Sequence, residues 1–260
     1  MSRVAERIRA RRDAGSGALV GYLPVGFPDY ATSVEAAVAL VENGVDVLEL
    51  GLPYSDPVMD GVVIQEATQA ALANGFRVAQ AFDAVHAITE RTGAPVLVMS
   101  YWNLVLRHGV DAFAETLLAA GGAGLITPDL IPDEAGDWLA ASDRTGLDRV
   151  FLAAPSSTRP RLERVAELSR GFSYAVSTMG ITGERADVAR SARTLVGRMR
   201  EAGADPVCVG IGISTAEHVR EVLEYADGAI VGTALVRALR DGGVAEAART
   251  AAALAAGTMA

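Results

Sequence analysis

The chain contains no lysine; all 23 of its basic residues are arginine. Without a side-chain amine it cannot form a Schiff base with a carbonyl substrate or with pyridoxal phosphate. One cysteine, Cys208, is present, so an internal disulfide is excluded and a reducing compartment is expected. Histidine is scarce as well: His86, His108 and His218 fall on predicted helices or at a helix start. They are scattered rather than gathered at strand ends, so a metal-dependent aldolase site is not expected and no metal ligands are assigned. No apolar run reaches the ~20 residues needed to span a bilayer. The charged start MSRVAERIRARRD lacks the apolar region of a signal peptide, and a soluble, cytoplasmic chain is expected. Positive charge is not in excess either. A net charge of −9 with no basic stripe argues against nucleic acid or an anionic membrane as the main partner.

What is present is a regular alternation. Short apolar runs at Ala18–Leu23, Val45–Leu50, Val96–Ser100, Gly124–Thr127, Val150–Ala153, Tyr174–Ser177, Val207–Gly210 and Ala229–Val231 are rich in Val, Ile and Leu, as strands buried on both faces should be. Between them lie amphipathic stretches such as Ser33–Asn43, Val62–Asn74, Ala112–Ala120, Ala186–Glu201 and Thr215–Tyr225. Asn43-Gly44, Gly121-Gly122 and Asp227-Gly228 precede strands two, four and eight, where a left-handed glycine can close a helix. Eight such units predict an α/β fold, a (β/α)8 TIM barrel made of residues 1–260 as one domain. Val4 and Ile8, at helical spacing, predict an extra N-terminal helix over the barrel bottom.

Strand two reads Val45-Asp46-Val47-Leu48-Glu49-Leu50. Alternation puts Val45, Val47 and Glu49 on one face, so Glu49 is an inward carboxylate at the strand's C-terminal end, where barrel enzymes do chemistry. The loop that follows is long, carries Pro53 and Pro57, and ends in Asp60-Gly61; such a loop suits closure over a substrate. Plainer roles remain open at this point. Glu49 can pair with an arginine, and Asp60 can cap the helix starting near Val62. Partial burial would raise the pKa of Glu49, which suits a group that gives and takes protons. Gly210-Ile211-Gly212-Ile213-Ser214 and Gly232-Thr233 follow strands seven and eight, where many barrels bind phosphate. Gly183 could add a third wall, although tight packing also requires glycine turns. Cys208 is most simply a core thiol. Gly180 to Gly183 and Gly210 to Gly212 lack the spacing of a dinucleotide fingerprint; with amine and metal chemistry also set aside, proton transfer by carboxylates on a phosphorylated substrate is left.

These residues also form a pattern. Glu49-Leu50-Gly51-Leu52-Pro53-Tyr54-Ser55-Asp56-Pro57 with Asp60-Gly61 and Ile64-Gln65 resembles the signature of the tryptophan synthase α subunit family. Tyr101-Trp102-Asn103, Thr127-Pro128-Asp129, Gly180-Ile181-Thr182-Gly183 and Gly210-Ile211-Gly212-Ile213-Ser214 fit in order, so the resemblance spans nearly the whole chain. It implies retro-aldol cleavage of indole-3-glycerol phosphate to indole and glyceraldehyde 3-phosphate, within L-tryptophan biosynthesis. It implies an αββα heterotetramer whose β subunit, not this chain, carries pyridoxal phosphate. By motif, Glu49 and Asp60 would be catalytic, with Glu49 protonating indole C3 and Asp60 taking the indole N–H proton. Tyr22, Tyr101, Thr127, Tyr174 and Thr182 would bind substrate, and Gly183, Gly212, Gly232 and Thr233 its phosphate. Met59 stands where the family usually has a small residue, Val62 where it has proline, Thr178 where arginine is common and Thr233 where serine is common. Two alternatives are a free-standing indole-3-glycerol-phosphate lyase and a non-catalytic partner that activates a β subunit. A sugar-phosphate isomerase is a more distant one, and it does not explain the loop from Pro53 to Gly61.

Overall fold

In a computed structural model the described residues are 2–176, 185–210 and 212–259. Among them, nine β segments alternate with helices. The segments are β1 (Ala18–Pro24), β2 (Val47–Gly51), β3 (Val96–Met99), β4 (Gly124–Ile126), β5 (Asp148–Val150), β6 (Leu152–Ala153), β7 (Ser173–Val176), β8 (Val207–Gly210) and β9 (Gly228–Val231). The helices are α1 (Arg3–Asp13), α2 (Tyr30–Glu42), α3 (Val62–Ala73), α4 (Val78–Thr92), α5 (Trp102–His108), α6 (Val110–Ala119), α7 (Gly136–Thr145), α8 (Arg159–Leu168), α9 (Arg185–Glu201), α10 (Ala216–Leu223) and α11 (Thr233–Ala255).

Every ladder is parallel, and the order β5-β4-β3-β2-β1-β9-β8-β7-β6 begins and ends on consecutive segments of the chain. The fifth predicted strand, expected as one run from Val150 to Ala153, is therefore two. Residues 148–150 pair with β4, Leu152 and Ala153 pair with β7, and Phe151 joins them. The strands of a closed barrel are staggered, so one strand can meet its two neighbours at different heights. The sheet closes through this split strand into the expected barrel.

Within the strands alternation sorts the side chains as the sequence predicts. Val45, expected on the face of Val47 and Glu49, instead precedes β2 and packs in the outer core, because alternation holds only where the backbone is a strand. Val20, Val47, Leu97, Ile126, Val150, Cys208 and Ile230 fill the barrel interior, while Leu19, Leu48, Leu50, Val96, Val98, Phe151 and Val209 pack outward against the helices. Cys208 is the buried core thiol expected of it. Val4 and Ile8 of α1 are fully buried in the interior cluster, so α1 plugs the N-terminal end. Polar contacts fasten that plug. Ser2 Oγ, which also caps α1, donates to Asp148 at 2.6 Å; Arg11 meets Asp46 at 3.4 Å and Arg12 meets Asp227 at 3.2 Å.

Of the three glycines expected to close helices, Gly44 (φ 101°) and Gly121 (φ 82°) are left-handed. Gly228 instead lies in β9, where an added Cβ would come within 2.6 Å of Cys208 Sγ. Close strand packing, not helix termination, requires that glycine.

Candidate active site

The inward face of β2 ends in Glu49, paired in register with Tyr22 of β1. Glu49 is 1% exposed and its Oε1 is buried with no partner. No arginine reaches it among the described residues. Burial alone pushes its pKa from 4.5 up to about 8, because an apolar surrounding penalises the charged form. At neutral pH the side chain is thus held as a carboxylic acid with a proton to give.

Asp60 sits half-buried in the loop between β2 and α3. The residue before α3 is Gly61, and no side chain caps that helix, so the capping role open to Asp60 is not the one it plays. Burial raises its pKa, and a hydrogen bond from Tyr101 opposes the rise. The Asp60 backbone carbonyl accepts from Gln65 Nε2 at 2.7 Å, which ties the loop's end to the first turn of α3.

Both carboxyls line one cavity of about 180 Å³ at the C-terminal mouth. Tyr22 and Tyr174 line it too, and burial, with nearby acidic groups, keeps both phenols protonated. Each ring occupies a notch left by a glycine. A Cβ on Gly51 would lie 2.1 Å from the Tyr22 hydroxyl, and one on Gly210 would lie 2.6 Å from that of Tyr174. Gly212, Gly232 and Thr233 also line the cavity. Gly212 has φ +70° and open space around its α carbon, so it is backbone conformation that calls for glycine there. Gly232 precedes α11 without a side-chain cap, which leaves the first N–H groups of that helix, whose first segment runs to a kink at Gly243, available to an anion.

Tyr101 and Thr127, expected to bind substrate, are not among the residues that line this cavity. Tyr101 turns its hydroxyl to the loop after β2, and Thr127 is buried at 1% exposure with Oγ1 unpartnered. Thr182, Gly183 and Thr178 lie outside the described residues. Among the described residues no cluster of three metal-ligating side chains occurs. His86 pairs with Glu90 on an exposed helix face, and His108 packs edge-on against Phe113.

Sequence reasoning missed the apolar wall: Ile64, Met99, Leu152, Val176, Ile213 and Ile230. Strand parity places Leu152 and Val176 inward, but an apolar residue at a strand end reads as core until the shape of the mouth is known. Met59 also lines the cavity while remaining 41% exposed.

Two carboxyls, two phenols and the glycine turns at Gly212 and Gly232 thus surround one cavity. Residues 8–259 match the family described as Tryptophan synthase alpha chain. The chain belongs to the tryptophan synthase alpha chain family. A relative of that name from Leifsonia xyli subsp. xyli is 70% identical, covering 100% of this chain and 99% of the relative. A structure of Mycobacterium tuberculosis tryptophan synthase superposes with TM-score 0.94 at 52% identity, covering 100% and 99% of the two chains. A tryptophan synthase complex from Pyrococcus furiosus superposes at 0.83 with 33% identity, covering 92% of this chain and 98% of that one. Both carboxylates and the glycine turns at Gly212 and Gly232 fall within the span matched to the tryptophan synthase alpha chain family.

Proposed function

We propose that this chain cleaves indole-3-glycerol phosphate to indole and glyceraldehyde 3-phosphate, as the α subunit of tryptophan synthase in L-tryptophan biosynthesis. One observation carries the reading: a buried acid protonated up to about pH 8 and a second carboxyl share one cavity with the glycine turns at Gly212 and Gly232 and the start of α11. A retro-aldol step needs an electron sink. Glu49 supplies one by giving its proton to indole C3 while Asp60 takes the N–H proton, leaving a neutral C=N bond in the ring. The Glu49 carboxylate then accepts the proton of the adjacent side-chain hydroxyl. The C–C bond breaks, an aldehyde forms, the bonding pair enters the ring, and nitrogen regains its proton from Asp60. Each well-placed acid or base contributes roughly 10²–10⁴-fold. The sink lies within the substrate, so the missing lysine costs nothing.

Gly212, Gly232 and Thr233 hold the phosphate, aided by the positive end of α11. The partner is the tryptophan synthase β subunit in an αββα complex, and pyridoxal phosphate belongs to that subunit. No helix of the described residues is long and apolar enough to cross a membrane, and we place the enzyme in the cytoplasm. Presence of both Glu49 and Asp60 disfavours a non-catalytic partner. The test is indole formation from indole-3-glycerol phosphate by the chain alone and with its β subunit. Slow turnover alone and strong activation in the complex are expected. High turnover without activation would identify a free-standing lyase, and no indole in either sample would overturn the reaction.

A further inference from the structure

Tyr101 carries a hydroxyl with three partners. Its oxygen accepts from the backbone N–H of Val58 at 3.0 Å and of Met59 at 3.0 Å, and Asp60 Oδ2 lies 3.4 Å away. A phenol oxygen has two accepting positions and one proton. With both accepting positions taken by N–H groups, the proton is left to point at the Asp60 carboxylate.

The ring behind that hydroxyl is held from two sides. It is 6% exposed and lies against Tyr54, with centroids 5.2 Å apart; the Tyr54 hydroxyl accepts from Asn103 Nδ2 at 3.2 Å. The next residue, Trp102, donates its backbone N–H to the Asp129 carboxylate at 2.9 and 3.1 Å, which anchors the start of α5 to the turn after β4. A frame built on β3 and β4 thus reaches, through one oxygen, the loop of β2.

We propose that Tyr101 is a positioning residue, not a substrate contact: its hydroxyl fixes the backbone at residues 58–59 and aims the Asp60 carboxylate into the reaction cavity. This rests on the lyase reading of the site. Among the described residues, the titratable groups that share the cavity with Asp60 are Tyr22 from β1, Glu49 from β2 and Tyr174 from β7, and Tyr101 reaches it from the β3 side. Tyr101 is the one that donates to it.

The test is Tyr101→Phe, which keeps the ring and removes the hydroxyl. Titration of the Asp60 carboxyl carbon by NMR in the substrate-free chain should show its pKa moved up, since a donor to the charged form is lost. Tyr101→3-fluorotyrosine keeps every contact and strengthens the donor, so it should move Asp60 down; it also serves if the phenylalanine variant folds poorly. In turnover, Tyr101→Phe should lower kcat about tenfold, leave KM within about twofold and shift the acidic limb of kcat to higher pH. Added to Asp60→Asn it should cost nothing more. An unmoved Asp60 titration overturns the proposal, as does an additive loss in the double variant or a loss confined to KM. The NMR arm needs no substrate, so a wild-type chain that forms no indole overturns the reaction and leaves this proposal to be judged by titration.

Discussion

The two ends of the barrel bury carboxylates to nearly the same depth and use them differently. At the N-terminal end Asp46, Asp148 and Asp227 are 8%, 2% and 4% exposed; at the mouth Glu49 is 1% exposed. Each bottom aspartate has company. Asp46 accepts from the Leu19 N–H and meets Arg11. Asp227 accepts from the Val207 N–H and meets Arg12 and Arg200. Asp148 accepts from Ser2, with Arg170 3.9 Å away. These groups join neighbouring strand starts and hold α1 in place. Asp148 Oδ1 and Glu49 Oε1 both lack a hydrogen bond, but among the described residues Glu49 alone of the four has no arginine beside it. Burial raises the pKa of Asp46 and Asp148 as well, so a raised pKa does not separate the two ends. What separates them is whether the proton or charge is already committed to a neighbour.

The largest expected difference is in turnover. Glu49→Gln should remove at least ~10³-fold of kcat with little change in substrate affinity, and Asp60→Asn at least ~10²-fold. Rates near wild type in either would make that mouth carboxyl equivalent to those at the bottom. Asp227→Ala should do the reverse, costing about 3 kcal/mol of unfolding free energy because Arg12, Arg200 and the Val207 N–H lose their acceptor. Its kcat per folded molecule should stay within about twofold, measured on a sample quantified by urea titration.

The next comparison is stability against pH. The folded pKa of Glu49, about 8, lies above its ordinary 4.5, so the fold favours the neutral form. Its contribution is complete below pH 4.5 and is lost as pH rises through about 8. Wild type should therefore lose stability relative to Glu49→Gln between those limits, by on the order of a few kcal/mol. Parallel profiles for the two proteins would mean that Glu49 is hydrated, not buried. The smallest effect is expected at Val62, 69% exposed at the first position of α3. Gly61 before it is extended, a conformation that a following proline accepts. Val62→Pro should raise stability by about 0.5 kcal/mol and leave kcat of the isolated chain unchanged. A changed kcat would show that the start of α3 acts on Asp60.

Much of this was legible in the chain. Apolar runs with period two and helical stretches between them specify eight parallel units. Parity alone turns Glu49 inward, since Val47 and Glu49 must share a face. The absence of lysine restricts the chemistry before any coordinate is known. These are local or compositional properties, and they survive whatever the distant chain does.

Other features depended on segments far apart in sequence. Parity cannot say whether an arginine waits for Glu49; only the closed barrel shows that none of the described residues brings one, while Arg12 and Arg200 gather at Asp227. Asp60 precedes a helix start and reads as a cap, yet its side chain meets Tyr101, 41 residues away. Sequence reads Tyr101 as a substrate contact; only the fold shows that its hydroxyl is bonded to the loop after β2. The fifth strand read as one run, and barrel stagger divides it at Phe151. Sequence by itself determined which side chains face inward and which reactions are impossible. Tertiary structure decided which inward carboxylate is left unpaired, because desolvation and pairing are set by what closes around a group rather than by its neighbours in the chain.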